Sequence, residues 1–166
     1  MDSSSQEKIV NIIREKFESE ILSIETPYNF LTVNLKRDKI TDIIRHLYHH
    51  PEASFQYLTT LCGIHFPESN QIAVMYQLHS LRNNWRIRLK IFLPAEDPVT
   101  PTLTTLFAGA NWMERETYDF FGVKFTGHPD LRRILNVEDM IIFPMRKEYP
   151  LEDQVREDKE DSMFGR

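Results

Sequence analysis

The chain is short of most residues that carry chemistry. It holds one cysteine, Cys62, and five glycines in 166 residues. A single thiol excludes an internal disulfide and a thiolate-ligated cluster held within this chain. No glycine-rich phosphate loop, no paired CxxC ligands and no nucleophile with its base stand out. No apolar run approaches the roughly 20 residues that a membrane-spanning helix needs, and the longest candidate, Met140 to Met145, is interrupted by Pro144. Any membrane association is therefore expected to run through partners. Met1 to Lys8 is polar and carries Asp2 and Glu7, which fits neither a signal segment nor a transit peptide, so the mature protein is expected to start here. Lysine and arginine number 20 against 25 acids, a net charge of −5, which argues against a nucleic-acid binder. Cys62, inside the apolar stretch from Tyr57 to Phe66, reads as a small core thiol.

What is present is enough for one hydrophobic core: 41% of the residues are hydrophobic. Ser4 and Glu7 fit a capping box, and Ile9, Ile12, Ile13 and Phe17 repeat at helical spacing, predicting a helix over about 5–19. Ile21 to Glu25 and Phe30 to Leu35 read as a hairpin around Pro27-Tyr28-Asn29. Asp38 is placed to cap a second helix with Ile40, Ile43, Ile44, Leu47 and Tyr48 as its stripe, ended by Pro51. Phe55 to Phe66 is a strand region. Ile72, Val74, Tyr76 and Leu78 alternate as one half-buried strand, and Ile87, Leu89, Ile91 and Leu93 as its hairpin partner after Arg82-Asn83-Asn84. That register puts Arg86, Arg88 and Lys90 together on the other face. The stripe reads as a solvated face, with a docking surface as the alternative.

Pro98 and Pro101 are expected to open a third helix with Leu103, Phe107, Ala110, Glu114, Tyr118 and Phe121 on one stripe and Gly122 as its stop. Asp130 is expected to cap a short helical segment to Leu135. The predicted fold class is α+β: one domain with a mostly antiparallel mixed sheet packed by two to three helices. Residues 1–135 form its core and 136–166 an irregular extension. Its tail from Glu152 to Arg166 is too charged to bury itself and is expected to order only on a partner.

Glu114 is the most informative residue, because a carboxylate on an apolar stripe needs a partner. The expected closure is a bidentate arginine, Arg132 or Arg133, on Glu114 or Glu116, with Asp119 pairing Arg115 four residues back. A metal site from Glu114, Glu116, Asp119 and His128 is disfavoured, since Glu114 and Glu116 are two apart on a helix and point apart, while His128 precedes Pro129 and serves the turn. His46, His49 and His50, near a helix end, read as surface residues, and His65 and His79 as isolated.

As strings, ANWMERETYDFFGVKF (Ala110 to Phe125) and GHPDLRRIL (Gly127 to Leu135) closely resemble a known family signature, continued by PMRKEYPL (Pro144 to Leu151) and echoed weakly over Phe55 to Pro101. The family is the C subunit, or thirty-kilodalton subunit, of the proton-translocating NADH:quinone oxidoreductase, respiratory complex I. The resemblance implies a non-catalytic subunit of the peripheral arm without cofactor of its own, the iron–sulfur clusters, FMN and quinone lying in partner chains. It implies packing against the large quinone-site subunit (D subunit, forty-nine-kilodalton type) and neighbouring iron–sulfur subunits. The place would be the cytoplasmic face of a bacterial inner membrane or its organelle-encoded equivalent, with no nucleic acid and no direct membrane insertion. Glu114, Arg115, Glu116, Asp119, His128, Asp130, Arg132, Arg133, Arg146 and Lys147 are the candidate residues for an ion-pair knot and for contacts with neighbouring subunits. The family usually has Gly-His where Ile142-Phe143 stands, and acids at Gly63 and His65. Three alternatives stay open: the equivalent subunit of a related complex with another electron donor, such as a membrane-bound hydrogenase; a small metal-dependent hydrolase using the acidic cluster; and a nucleic-acid binder using the basic strand face.

Overall fold

The computed structural model describes residues 3–150. Helix α1 (Ser3–Phe17) buries Ile9, Val10, Ile12 and Ile13, which recur at the spacing of one helical face. It is already under way at Ser3, so Ser4 lies inside its first turn and does not cap it. Strands β1 (Ile21–Glu25) and β2 (Thr32–Leu35) form the expected antiparallel hairpin around a tight turn in which Tyr28 and Asn29 both take positive φ. Helix α2 (Ile40–His49) buries Ile40, Ile43, Ile44 and Leu47. Asp38 does not cap it. A separate 3-10 turn, Arg37–Lys39, precedes the helix, and in that turn Asp38 pairs with Arg37 in solvent.

Strands β3 (Tyr57–Phe66), β4 (Gln71–Ser80) and β5 (Trp85–Pro94) then run as an antiparallel meander. The sheet order is β1-β2-β5-β4-β3, with β2 parallel to β5, so the sheet is mixed and mostly antiparallel. Ile72, Val74, Tyr76 and Leu78 register with Leu93, Ile91, Leu89 and Ile87, and all eight are fully buried in one core cluster that also takes in α1 and α2. Gly63 shares that face through its pairing with Val74. A side chain there would sit 2.6 Å from the Phe121 ring, so the missing Cβ lets the last helix close on β3.

The third helix starts later than the prolines suggest. Val99–Pro101 is a strand, β6, lying parallel to β7 (Lys124–Thr126), and helix α3 runs only over Ala110–Phe121. Pro98 and Pro101 favour extended backbone, and the carbonyl of Pro98 accepts from Lys124 N–H while Thr102 N–H donates to Thr126. Leu103 and Phe107 are buried, but in a turn that does not propagate. Tyr118 is only half-buried, and Asp119 faces inward instead. No helix forms over 130–135. Residues 131–150 continue as an irregular strap along α3, and the tail from Glu152 to Arg166 lies outside the described residues. Among the described residues no helix is long and apolar enough to cross a membrane.

Candidate functional site

Two acids of α3 are fully buried, and their surroundings are opposite in kind. Among the described residues Glu114 meets no cation. Its Oε1 accepts from Leu103 N–H and its Oε2 from the Thr102 hydroxyl, both at 2.6 Å, which ties the front of α3 to the loop after β6. Burial outweighs these two hydrogen bonds and pushes its carboxyl up to about 7. The arginine expected on Glu114 is therefore absent, because a proton can do what a cation would.

Asp119 takes the guanidinium instead. Arg133 Nη1 donates to Asp119 Oδ1 at 2.7 Å and to the Asp119 carbonyl at 2.9 Å. Oδ2 accepts the backbone N–H groups of Ile134, Leu135 and Asn136, and Oδ1 also takes the Asn136 side-chain amide. Burial alone would raise this carboxyl, but the Asn136 and Leu135 amides and the Arg133 guanidinium hold it well below the usual carboxylate range. This ring of donors also explains the missing helix: three successive N–H groups point at one carboxylate oxygen, so they cannot reach back along a helix.

The same arrangement closes the end of α3. A helix leaves its last carbonyls without partners. Here Gly122 N–H caps Tyr118, Arg133 takes Asp119, Met145 N–H takes Phe120, and Arg146 Nε takes Phe121. Both cations sit where the helix dipole favours them. Gly122 holds φ at +78, and a side chain there would run into Phe143 at 2.6 Å. Both guanidinium groups lie over the Phe143 ring, Arg133 at 5.2 Å and Arg146 at 5.0 Å, a pair of cation–π contacts. Arg133 Nη2 donates to the carbonyls of Met140 and Ile142, joining the strap to the cage.

The other candidate residues divide by position. Arg115 does not pair with Asp119; it donates to the carbonyls of Arg132 and Arg133, bracing the turn from outside. Arg132 and Asp130 form an exposed pair. Glu116 is exposed. His128 Nε2 donates to the Asn111 carbonyl and Nδ1 accepts from Asp130 N–H, so this ring does serve the turn. The side chain of Lys147 is exposed, while its N–H donates to His65 Nδ1, so His65 is not isolated but clasps the strap. No local pattern signals this tie, since its partners are far apart along the chain.

Glu114, Glu116, Asp119 and His128 are not brought together as metal ligands. Among the described residues the one such group is Glu15, His46 and His50, whose ligand atoms lie within 4.8 Å of one another. His46 is half-buried rather than a plain surface residue. Burial lowers its pKa, and its Nε2 donates to the Ile12 carbonyl. His50 Nδ1 accepts from the N–H groups of Glu52 and Ala53. Neutral His50 then carries its proton on the other nitrogen, which is not the state of a metal ligand.

The fold and the cage define a two-layer α+β module whose buried charges are used in fastening a helix to a strap. The family model described as "Respiratory-chain NADH dehydrogenase, 30 Kd subunit" matches residues 33–155, and the chain belongs to that family. It is 39% identical over 140 residues to a C subunit of the NADH-quinone oxidoreductase of Rhizobium etli (strain CIAT 652), covering 84% of this chain and 74% of that protein. A solved trypsin-resistant fragment (1-134) of Nqo5 superposes with a TM-score of 0.63 at 32% identity, over 75% of this chain and 98% of that one. The fold also occurs in the membrane-bound sulfane sulfur reductase, an archaeal respiratory membrane complex, with a TM-score of 0.75 at 21% identity over 90% and 87% of the two chains.

Proposed function

We propose that this chain is a non-catalytic scaffold of the peripheral arm of NADH:quinone oxidoreductase, without cofactor or turnover of its own. In this reading it packs on the large quinone-site subunit at the cytoplasmic face of the membrane, with iron–sulfur clusters, FMN and quinone in neighbouring chains. The observation that carries the reading is the strap. It is fastened by Arg133, Asp119 and Arg146, yet it presents Leu135, Val137 and Met145 to solvent and leaves Ile141 93% exposed. Large apolar side chains held out on a rigid segment suit a protein interface. Electron transfer between subunits depends on fixed geometry, and a chain of this build supplies shape.

The test is Val137→Glu together with Ile141→Glu, expressed in place of the native chain. The variant should keep its circular dichroism spectrum while the assembled complex and its NADH:quinone activity fall together. Normal assembly and activity would overturn the reading. A related complex with another donor is the second reading, and the sulfane sulfur reductase fold is what favours it. Mild-detergent purification separates the two, because only the first brings a flavin-bearing NADH-oxidising subunit with the chain.

A further inference from the structure

The helices cover one face of the sheet, and the other carries a feature that the strap interface does not use. β5 is the central strand, and Arg86, Arg88 and Lys90 alternate along its open side. Register places Arg86 beside His79, Arg88 between Gln77 and Thr32, and Lys90 between Met75 and Asn34. Beyond β4 the same face continues into Ile64 and Cys62, which is half-buried there and is not the core thiol its apolar surroundings in sequence suggest.

Extended geometry sets the Cα atoms of successive residues on this side about 6.6 Å apart, so one short strip carries three like charges. Among the described residues none of the three has a salt-bridge partner. Glu25, on the edge strand of the same face, is bound to Asn34 at 2.7 Å instead. Two of the three are held rather than loose: the Arg88 guanidinium stacks 4.2 Å over Phe30 and donates to Gln77, and the Lys90 ammonium lies 5.8 Å from the Phe92 ring. A prearranged row of positive charge, interleaved with half-buried Met75 and Phe92, stands out on a chain whose net charge is −5.

We propose that this open face seats a carboxylate-rich segment of a neighbouring polypeptide in the same assembly. The proposal rests on the reading of the chain as part of a larger complex, and adds a second docking surface unlike the first in chemistry. Carboxylates set between the three cations would relieve their mutual repulsion, and Arg88, already ordered, loses little freedom on binding. Apolar side chains between the charges suit a polypeptide. A nucleic-acid strand would meet three cations on an otherwise acidic protein, too few for binding that depends on phosphate neutralisation.

Zero-length carbodiimide cross-linking of the assembled complex tests this, because it joins an amine directly to a touching carboxylate. The expected product links Lys90 to an aspartate or glutamate of another polypeptide. Arg86→Glu with Arg88→Glu should abolish that link and lower incorporation about tenfold, while the free chain keeps its circular dichroism spectrum. A lysine replacing the partner's linked carboxylate should restore incorporation of the charge-reversed chain. A link from Lys90 to residues 152–161 of the same chain would overturn the proposal, as would equal acylation of Lys90 in complex and free chain. Wild-type chain that fails to join the complex at all sinks the scaffold reading instead, so the two failures are distinguishable.

Discussion

Replacing Glu114 by glutamine should make the protein more stable at alkaline pH while changing little at acidic pH. In the folded chain the carboxyl is pushed from its ordinary 4.5 to about 7, so folding favours the protonated form. Between those two values the native state holds a proton that the unfolded chain releases, and stability therefore falls as pH rises. The span is about 2.5 pH units at about 1.4 kcal/mol each, or about 3 kcal/mol in all. That contribution is fully present below pH 4.5 and is lost by the time pH has passed 7. Glutamine keeps the acceptor for Leu103 N–H and offers Thr102 a donor, and the Thr102 hydroxyl can turn to Thr104, 3.0 Å away. Other groups add their own pH dependence, His46 among them, since burial favours its neutral ring and its contribution is lost toward acid. They cancel in the difference between the two proteins. Urea unfolding of the full chain at pH 5, 6, 7 and 8 gives that difference directly. The two should match within about 1 kcal/mol near pH 5 and separate to about 3 kcal/mol near pH 8, with glutamine the more stable. A difference that does not change with pH, or wild type the more stable at pH 8, would refute the reasoning, because it would mean that the carboxylate is ionised and paired.

Arg133→Met should cost about 3 to 5 kcal/mol, since it strands the Asp119 carboxylate at full burial, and Asp119→Asn, whose amide nitrogen would face donors on either side, should also destabilise while leaving the unfolding midpoint less sensitive to acid. Its sign is opposite to that of Glu114: stability from Asp119 is present above the ordinary value of 3.8 and is lost as pH falls below it. Gly122→Ala should cost about 2 kcal/mol by thermal unfolding, from positive φ and from collision with Phe143. Phe143→Ala should leave the sheet intact but speed limited proteolysis within residues 136–150. Unchanged cleavage would show that the guanidinium stack does not fasten the strap.

The sheet was the most legible part of the sequence. Strict alternation over Ile72 to Leu78 and Ile87 to Leu93 has only one arrangement that buries every second side chain, so pairing and facing followed together. The second helix and the Gly122 stop were readable for the same local reason. The late start of α3 was not. Pro98 and Pro101 suit a strand end as well as a helix start, and only the distant partner Lys124 to Thr126 decides between them. The short helix expected after Asp130 failed because Asp119 competes for its backbone donors across 15 to 17 residues. No local pattern carries that information. A tie such as the one from Lys147 N–H to His65, 82 residues apart, lies further still beyond pattern reading.

Glu114 does need a partner, as its place on an apolar stripe implies, but the partner is not the expected arginine. A buried carboxylate can be satisfied by a cation or by a proton, and which it takes depends on how many donors converge on it. Glu114 has two and holds its proton up to about pH 7. Asp119, five residues on, collects Arg133, three backbone amides and a side-chain amide, and so remains charged. This division is what a docking scaffold needs. The charged cage binds the strap through groups that only the folded chain assembles, so the apolar side chains from Leu135 to Met145 are held in place before any partner arrives. An interface already ordered loses little conformational freedom on binding. Loosening the cage should therefore weaken assembly even where no contact with the partner is removed, and Arg133→Met, which leaves Leu135, Val137, Ile141 and Met145 in the sequence, is the substitution that separates this effect from loss of those side chains.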